Sequence, residues 1–501
     1  MREKSKEEKL NARYYFVLSI FLMLLIVFMY LKADKQPGIP KCPNCNVIII
    51  SPNNIRAGHL GLYGYERETS PNLDLFSKES IVFTNAFSQS SWSLPAAASL
   101  FTSQYPFTHG LMDRKILDSS KVTLAEILRL YNFTTVAFTG GGDYKSIYGI
   151  DKGFDIFDDN DNSIIFTGSF NRTAKAALDW ISNNKNKKFF IFLQGYDAHC
   201  PYNQPQKYRM LFEKDYDGNL NDKQCILDIQ KERNPGESGA YIQGAYIANM
   251  INSTDNLTFI PVNITLRDIE HLKSIYDSSI RYTDDLLGMF LNELKQSGVM
   301  GNTIIIFIGD HGESLGTHSA VIRYGAQKGI LYDEVIHIPL VVRHPFIKNG
   351  KRIDSLAETI DIMPTILDFL GIPKNHESQG LSLLSAINGS KENLREFVFS
   401  GGQFFHRDPY YVTINDAVRS KKWKLIFERT SDNKISNLEL YDLENDPDEL
   451  NNIVALEPEI AIFLKERLQK WEQTVIKKHK LRVVELSKDE LKAVREAGYA
   501  G

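Results

Sequence analysis

Short runs of consecutive apolar residues, rich in β-branched and aromatic side chains, recur along the chain and alternate with segments of helical spacing. Runs of this kind are typical of parallel strands that are buried on both faces of a sheet. The predicted strands are 46–51, 134–138, 188–193 and 303–308, and the predicted helices are 123–131, 170–183 and 269–295. This alternation predicts an α/β fold with a mostly parallel central sheet flanked by helices.

Two other regions depart from this pattern. Residues 211–266 are polar and rich in Asn, Asp and Gly, which indicates a long excursion on the rim of the sheet that shapes substrate access. From residue 372 onward, 416–427 and 438–442 are predicted as antiparallel strands joined by a polar hairpin, and 457–478 as an amphipathic helix. We therefore expect a smaller C-terminal α+β subdomain.

The N-terminus carries an uncharged apolar stretch at 14–31, long enough to cross a bilayer as one helix. A cleaved signal peptide is the alternative, but no small-residue cleavage site follows. More basic residues precede the stretch than follow it, which places the short tail in the cytoplasm and the large domain outside. The predicted organisation is a cytoplasmic tail (1–13), a single-pass transmembrane signal-anchor helix (14–31), a linker (32–45), a main domain (46–371) and the C-terminal subdomain (372–501).

Charge and cysteine content narrow the class of protein. The net charge is −4 and there is no basic stripe, so nucleic acid is not an expected partner. Cys42 and Cys45 have the spacing of half a zinc site, but a second Cys/His pair at zinc-ligand spacing is missing. Disulfides 42–45 and 200–225, and free thiols, are both compatible with the sequence.

Chemically interesting residues stand next to the predicted strands and at one predicted helix start. Ser93 precedes a run of small residues that reads as the start of a helix, where the positive end of the dipole can hold an anionic substrate beside a nucleophile. A Ser/Pro helix cap without chemistry is the alternative. Asn53 and Asn54 follow the first strand, and polar turns at 197–202 and 309–313 follow two others. In open α/β sheets, ligands bind at such strand ends.

With these turns in place, the chain closely resembles the sulfatase family, a branch of the alkaline-phosphatase superfamily, from about residue 46 to the C-terminus. Many matches in order carry the resemblance. They include RAGHLGLYGY (56–65), TSPNLD (69–74), FTNAFS (83–88), ASLFT (98–102), GFD (153–155), DAHCPY (197–202), GDHGE (309–313), YDE (332–334), DIMPTILD (361–368), QGLS (379–382) and LYDLENDP (440–447).

The resemblance implies a sulfuric ester hydrolase that binds one divalent cation, usually calcium. In the family, a Cys or Ser is oxidised to formylglycine, whose hydrate attacks sulfur while the metal, lysines and histidines neutralise the sulfate oxygens. Carried over residue by residue, the modified position is Ser93, the metal positions are Asp310, His311, Asn53 and Asn54, and the sulfate-contacting or proton-donating positions are His199 and Lys328.

The chain also departs from the family pattern. Asn53 and Asn54 stand where the family has Asp, Gly58 replaces an Asp, and Ala97 replaces the signature Arg that supports formylglycine formation. Residues 139–142 replace a Lys-Trp-His element. Because an amide oxygen contributes only a dipole where a carboxylate contributes a charge, metal affinity is expected to fall by orders of magnitude unless the rim excursion supplies a substitute.

Three hypotheses follow. The first is a membrane-anchored sulfatase that uses formylglycine made from Ser93. The second is a hydrolase that uses unmodified Ser93 on a phosphate or phosphonate ester. The third is a pseudoenzyme that binds a sulfated or phosphorylated glycan or lipid without turnover. The expected partner is in each case a sulfated or phosphorylated small molecule, glycan or lipid, together with the membrane.

Overall fold

A computed structural model describes residues 38–112, 115–159, 168–318, 329–405, 412–430, 434–475 and 482–483, with gaps at 201, 203, 219, 221–223, 230–241 and 250–258, and six residues between 14 and 23. Of the 18 residues of the predicted anchor at 14–31, these six are described and the other twelve lie outside the described residues. Within the described parts of the chain, no helix has both the length and the apolar character needed to span a bilayer. The anchor therefore stays a prediction.

Strands form the centre of the main domain and of the C-terminal subdomain. They are β1 (Asn46–Pro52), β2 (Ile81–Phe87), β3 (Lys115–Ile116), β4 (Thr134–Phe138), β5 (Ile156–Asp158), β6 (Phe189–Gly195), β7 (Gln224–Ile229), β8 (Ile242–Asn249), β9 (Phe259–Ile264), β10 (Thr303–Ile308), β11 (His337–Arg343), β12 (Lys351–Glu358), β13 (Val398–Phe405), β14 (Val412–Arg419), β15 (Trp423–Thr430), β16 (Ile435–Asp442) and β17 (Arg482–Val483).

The central sheet has eight strands in the order β12-β2-β11-β10-β1-β6-β4-β5. Strand β1 lies between β10 and β6 and pairs with both in parallel register, with Val47 opposite Ile304 on one side and Phe190 on the other. Only β11 runs antiparallel to its neighbours. The side chains of Val47 to Ile50 are fully buried, as expected for a strand covered on both faces. The predicted mostly parallel sheet is confirmed.

Helices flank this sheet. They are α1 (Pro71–Ser77), α2 (Ser93–Thr102), α3 (Pro106–His109), α4 (Leu124–Leu130), α5 (Phe170–Asn183), α6 (Gln206–Arg209), α7 (Leu266–Gln296), α8 (Asp333–Ile336), α9 (Ile362–Leu370), α10 (Leu384–Ile387) and α11 (Pro458–Val475), with short 3₁₀ turns at Ala57–His59, Gly61–Tyr63, Gly142–Tyr144, Ser146–Tyr148, Val299–Asn302 and Thr359–Asp361.

The long helix α7 shows how the sequence sets these elements. Its first turn is closed by a capping box, in which the side chain of Thr265 accepts from the backbone of Asp268 while the Asp268 carboxylate accepts from the backbone of Thr265. Its apolar face then packs along α1, α5 and α6. Every residue of α2, by contrast, is buried, so the helix that begins at Ser93 lies inside the domain.

The C-terminal subdomain is an antiparallel sheet in the order β13-β14-β15-β16, covered by α11. The ring of Trp471 on α11 stacks on Phe399 of β13 at 5.0 Å. The prediction of one strand over 416–427 is wrong. The chain turns at 420–422, where the Ser420 amide donates to the carbonyl of Trp423, so this run belongs to both β14 and β15.

The rim excursion contains more regular backbone than its composition indicated. Strands β7, β8 and β9 form a three-stranded antiparallel sheet between residues 224 and 264. Within the predicted linker at 32–45, Cys42 and Cys45 form a disulfide, one of the two states that are compatible with the sequence. The predicted pair 200–225 involves the side chain of Cys225, which lies outside the described part of the chain.

The turn that leads from β2 towards α2 is bound by the C-terminal subdomain. The Ser400 hydroxyl donates to the Ser88 carbonyl at 2.5 Å, and the Gly401 amide donates to the Gln89 carbonyl at 3.0 Å. Both donors lie on β13. The two parts of the chain therefore meet directly beside the predicted nucleophile.

Candidate active site

The carboxyl ends of three neighbouring strands bring the predicted site residues together. Pro52, at the end of β1, pairs with Gly195 at the end of β6, and the amide of Asn53 donates to the Gly195 carbonyl at 2.9 Å. The turn after β10 places Asp310 on the other side of β1, within 2.9 Å of the Asn54 amide. The sheet order thus assembles residues that lie more than 250 positions apart in sequence.

Ser93 is the first residue of α2 and is only 4% exposed. Its hydroxyl oxygen lies 2.7 Å from Asn53 Nδ2, which donates to it, and 3.1 Å from His311 Nε2. The residue that caps α2 is Trp92, and no side chain makes a capping bond there. The hydroxyl of Ser93 is therefore directed into a polar cluster at the positive end of the helix dipole instead of closing the helix.

The ring of His311 is oriented by its second nitrogen. Nδ1 lies 2.9 Å from the carbonyl oxygen of Gly312, which can only accept, so Nδ1 carries a proton. In the neutral ring Nε2 is then an acceptor, and it faces the Ser93 hydroxyl. The same Nε2 is 3.6 Å from Asp310 Oδ2, so an imidazolium formed at His311 would lie beside a carboxylate. This is the geometry of a hydroxyl paired with a base.

Asp310 is held by four hydrogen bonds. Oδ1 accepts from the backbone amides of Asn54 at 2.9 Å and His311 at 2.8 Å. Oδ2 accepts from Asn53 Nδ2 at 2.5 Å and from the Tyr144 hydroxyl at 3.3 Å. Burial and the neighbouring Asp310 charge raise the pKa of Tyr144 well above its usual range, so Tyr144 acts as a neutral donor. The carboxylate is thereby fixed in place.

Two amide oxygens at the site have no hydrogen-bond partner among the residues that the structure describes. They are Oδ1 of Asn53 and Oδ1 of Asn54, in side chains that are 0% and 1% exposed. Buried polar atoms are nearly always paired, and each exception calls for an explanation. Both residues also hydrogen-bond to the Asp310 carboxylate, and carboxylate and amide oxygens are ligands that calcium and magnesium take in proteins. No group of three or more His, Cys, Asp or Glu that could hold a metal occurs among the described residues.

The turn after β10 fits closely against α8. A side chain on Gly312 would place its Cβ 2.3 Å from the Glu334 carbonyl oxygen, and the Gly312 amide donates to the Val335 carbonyl at 2.6 Å. Only glycine allows this approach. This close packing of Gly312 against α8 holds the backbone of its two neighbours, His311 and Glu313, in place.

Of the other two predicted catalytic residues, the structure describes His199 but not Lys328. His199 lies in the turn after β6, is 4% exposed, and places Nδ1 2.5 Å from the Cys200 carbonyl. It is therefore on the same edge of the sheet as Asn53. Lys328 lies outside the described residues, but the amide of its neighbour Gly329 donates to Ser91 Oγ at 3.1 Å.

The departures from the family pattern have distinct settings. Gly58 lines a cavity of about 250 Å³ between the main domain and the C-terminal subdomain, and the nearest atom to a Cβ built on it is Arg56 Nε at 3.7 Å. The guanidinium of Arg56 forms an ion pair with the Glu334 carboxylate at 3.2 Å. Ala97 is 1% exposed and packs in the hydrophobic core. In the element at 139–142, the Gly140 amide donates to Gln194.

Three residues at the site carry roles that the sequence alone did not assign. Tyr144 binds Asp310, Tyr276 donates from its hydroxyl to the Asn54 carbonyl at 2.6 Å, and Glu313 accepts from Asn54 Nδ2 at 2.9 Å. Tyr144 follows a glycine turn after β4, which is a usable signal for a residue at this edge. Tyr276 lies in the middle of α7, where no local pattern marks it.

Comparison with known proteins identifies the family. A family model described as Sulfatase matches residues 45–372. The chain belongs to the sulfatase family. A second model, described as N-sulphoglucosamine sulphohydrolase, C-terminal, matches residues 325–474 of this sulfatase.

Relatives and solved structures extend the similarity over most of the chain. Arylsulfatase K of Mus musculus is 23% identical over 467 residues, covering 87% of this chain and 80% of the relative. N-acetylglucosamine-6-O-sulfatase of Bacteroides thetaiotaomicron is 22% identical, covering 90% of both. A protein solved with its substrate D-glucosamine-2-N,6-O-disulfate shares the fold with a TM-score of 0.69 at 19% identity, covering 86% of this chain and 98% of the other. The phosphonate monoester hydrolase of Agrobacterium radiobacter shares the fold with a TM-score of 0.66 at 20% identity, covering 86% of this chain and 96% of the other.

Proposed function

We propose that this sulfatase-family hydrolase cleaves the sulfate ester of a sulfated sugar, with Ser93 supplying the attacking oxygen. The observation that carries the proposal is the placement of Ser93 Oγ between Asn53 Nδ2 and His311 Nε2 at the start of α2. The names of the Bacteroides thetaiotaomicron relative and of the substrate-bound structure support a sulfated sugar as the substrate class.

The chain's own residues account for the proton and charge movements of the first step. As Ser93 Oγ forms a bond to sulfur, the bond from sulfur to the ester oxygen breaks and the Oγ proton passes to His311 Nε2. Asp310, 3.6 Å from that nitrogen, stabilises the resulting imidazolium. His199 is the proposed donor of the proton that the leaving alcohol takes up, and Lys328 is a proposed sulfate contact. Water then releases sulfate from Ser93.

In the modified form, a separate maturation enzyme would oxidise the Ser93 side chain to an aldehyde, and one hydroxyl of its hydrate would be the attacking group. Its hydroxyls would occupy the position that Oγ takes between Asn53 and His311. The proton acceptor is the same in both forms.

The proposed cofactor is one divalent cation, calcium, which oxygens of Asp310, Asn53 and Asn54 would hold, with His311 beside them. The two unpartnered amide oxygens support this assignment. A bound cation supplies positive charge next to the sulfate oxygens. This charge matters because Asp310 and Glu313 are both buried at the site and would otherwise oppose an anionic ester.

A specific observation favours a second candidate, in which unmodified Ser93 attacks a phosphate or phosphonate ester. The bond from His311 Nδ1 to Gly312 already prepares Nε2 to accept the Ser93 proton, as a serine nucleophile requires. In addition, Ala97 provides no charged group where the family signature has Arg.

Turnover of two substrates by the full chain in detergent tests both candidates. Aryl sulfate and aryl phosphate are assayed with and without calcium, and the mass of the Ser93 peptide shows whether two hydrogens have been lost. We expect Ser93→Ala to abolish turnover and His311→Ala to lower kcat by about 10²- to 10⁴-fold. Ser99→Ala, in the same helix and bonded to His109, is the matched control and should retain activity.

The preferred ester identifies the chemistry. Hydrolysis of the sulfate with a modified Ser93 supports the first candidate, and hydrolysis of the phosphate with an unmodified Ser93 supports the second. Turnover no higher than that of Ser93→Ala on both substrates refutes both and leaves ligand binding without catalysis.

A further inference from the structure

The backbone amide, the backbone carbonyl and the side-chain Nδ2 of Asn54 all form hydrogen bonds. Its amide donates to Asp310 Oδ1 at 2.9 Å, its carbonyl accepts from the Tyr276 hydroxyl at 2.6 Å, and its Nδ2 donates to Glu313 Oε2 at 2.9 Å. Among the described residues, none is a hydrogen-bond partner of Oδ1, although Asn54 is only 1% exposed. The backbone has a φ of 60°, a left-handed conformation that Asn adopts more readily than most residues. The fold thus fixes the backbone and leaves only the orientation of the amide to be set.

We propose that Glu313 is a positioning residue, which turns the Asn54 amide so that Oδ1 is presented to the divalent cation. This inference rests on the cation of the proposed function. The two ends of an amide have the same shape, so their hydrogen-bond partners decide which end points where. A carboxylate only accepts, and Glu313 therefore selects Nδ2 and directs Oδ1 away from itself.

The selection is firm because Glu313 is itself fixed. It is 1% exposed, and its backbone amide donates to the Glu334 carbonyl at 3.2 Å. If the Asn54 amide were turned over, Oδ1 would face a carboxylate oxygen with no hydrogen between them. Unpaired buried acceptors in such contact are strongly unfavourable.

The same argument couples residue 54 to residue 313. An aspartate at position 54, as in the family pattern, would bring two carboxylates together where Asn54 and Glu313 now share a hydrogen bond. Asn54 and Glu313 therefore form a matched donor and acceptor. Reversing the pair, with Asp at 54 and Gln at 313, keeps one hydrogen bond and returns a carboxylate to the cation.

Calcium binding by the full chain in detergent, measured by isothermal titration calorimetry, tests the pair. Glu313→Met removes the acceptor at similar length, and we expect the Kd for calcium to rise about 10- to 100-fold, the usual effect of losing a group that orients a metal ligand. In an Asn54→Ala background, Glu313→Met should have no further effect. The reversed double variant, Asn54→Asp with Glu313→Gln, should bind at least as tightly as the wild type.

Glu459→Met, on the exposed start of α11, is the matched control and should leave the Kd unchanged. If Glu313→Met does not fold, as judged from melting without calcium, Glu313→Leu, which also lacks an acceptor, takes its place in the same cycle. Three results would each overturn the inference: no binding of calcium, magnesium or manganese by the wild type, an unchanged Kd in Glu313→Met, or an equal loss in the Asn54→Ala background. The last result would make Glu313 a direct ligand.

Because the readout is metal binding, the outcome is independent of turnover. A chain that binds calcium as described but hydrolyses neither ester would refute the proposed function and retain the positioning role. Hydrolysis of either ester by a chain that binds no metal would refute the positioning role and the proposed cation, and would retain the proposed role of Ser93.

Discussion

Replacing Asn53 with Asp puts a carboxylate where an amide now separates two acceptors. Asn53 Nδ2 lies 2.5 Å from Asp310 Oδ2 and 2.7 Å from Ser93 Oγ, and it donates to both. In Asn53→Asp, two buried carboxylates face each other. Even after they relax to a separation of about 4 Å, two like charges repel by about 4 kcal/mol at the effective dielectric constant typical of proteins. We expect the calcium-free variant to be destabilised by up to this amount.

Calcium should largely remove this penalty, because a divalent cation between the carboxylates replaces repulsion with attraction. Thermal melting of the full chain with and without calcium measures both effects. We expect a lower melting temperature than the wild type without calcium, and a larger calcium-induced rise. The deficit should be greater at pH 8 than at pH 5, since at low pH the two carboxyls can share a proton.

Asn349→Asp makes the same charge change in an exposed loop and serves as the control. It should melt like the wild type under every condition. The interpretation of the site fails if Asn53→Asp matches the wild type without calcium at pH 8 and gains no more from calcium than the wild type does. That outcome would mean that residue 53 does not face Asp310 in solution.

Two further substitutions test neighbouring contacts. Both ring nitrogens of His318 donate to acceptors: Nδ1 to the Glu334 carboxylate at 3.0 Å and Nε2 to the Glu449 carbonyl at 2.9 Å. Burial alone would lower the pKa of His318, but the hydrogen bond to Glu334 raises this pKa above its usual value. A raised pKa stabilises the fold below about pH 6.5, and this stabilisation is lost as the pH rises through the pKa of the folded state. His318→Gln should therefore lower the free energy of unfolding by about 2 kcal/mol at pH 6 and by less at pH 9, as measured by denaturant melts. The same loss at both pH values would contradict this argument. Gly312→Ala should lower stability by about 1–3 kcal/mol, since its Cβ would meet the Glu334 carbonyl at 2.3 Å, whereas Gly301→Ala, with no atom within 4 Å, should not; equal melting of the two would refute the argument.

The central sheet was predictable because its strands are buried on both faces. The runs 134–138 and 303–308 coincide with β4 and β10, and the helix at 170–183 coincides with α5. Continuous apolar runs bounded by polar turns leave little freedom in where a strand begins or ends. The same logic located the edge of the site, since the carboxyl ends of parallel strands meet there.

Other features depended on contacts that no local pattern encodes. The turn at 420–422 contains Ser-Lys-Lys without Gly, Asn or Pro, and Ser420 alone is too weak a turn signal to divide 416–427 between two strands. The partners of Asn54 come from β10's turn and from the middle of α7, and they can be found only once the sheet is assembled. The direction of the His311 ring follows from a single backbone carbonyl, which is equally invisible in sequence.

The bonds from β13 to the Ser88 and Gln89 carbonyls bear on how members of this family can be recombined. Asn415 of β14 adds a third link, since it donates to the Gly329 carbonyl at 3.0 Å while the Gly329 amide donates to Ser91. The segment just before the nucleophile is thus partly built by residues beyond 372. A chimaera that exchanges the segment from β13 onward between sulfatases would also exchange the support of the reactive hydroxyl, so the sheet β13 to β16 is not a module independent of the site.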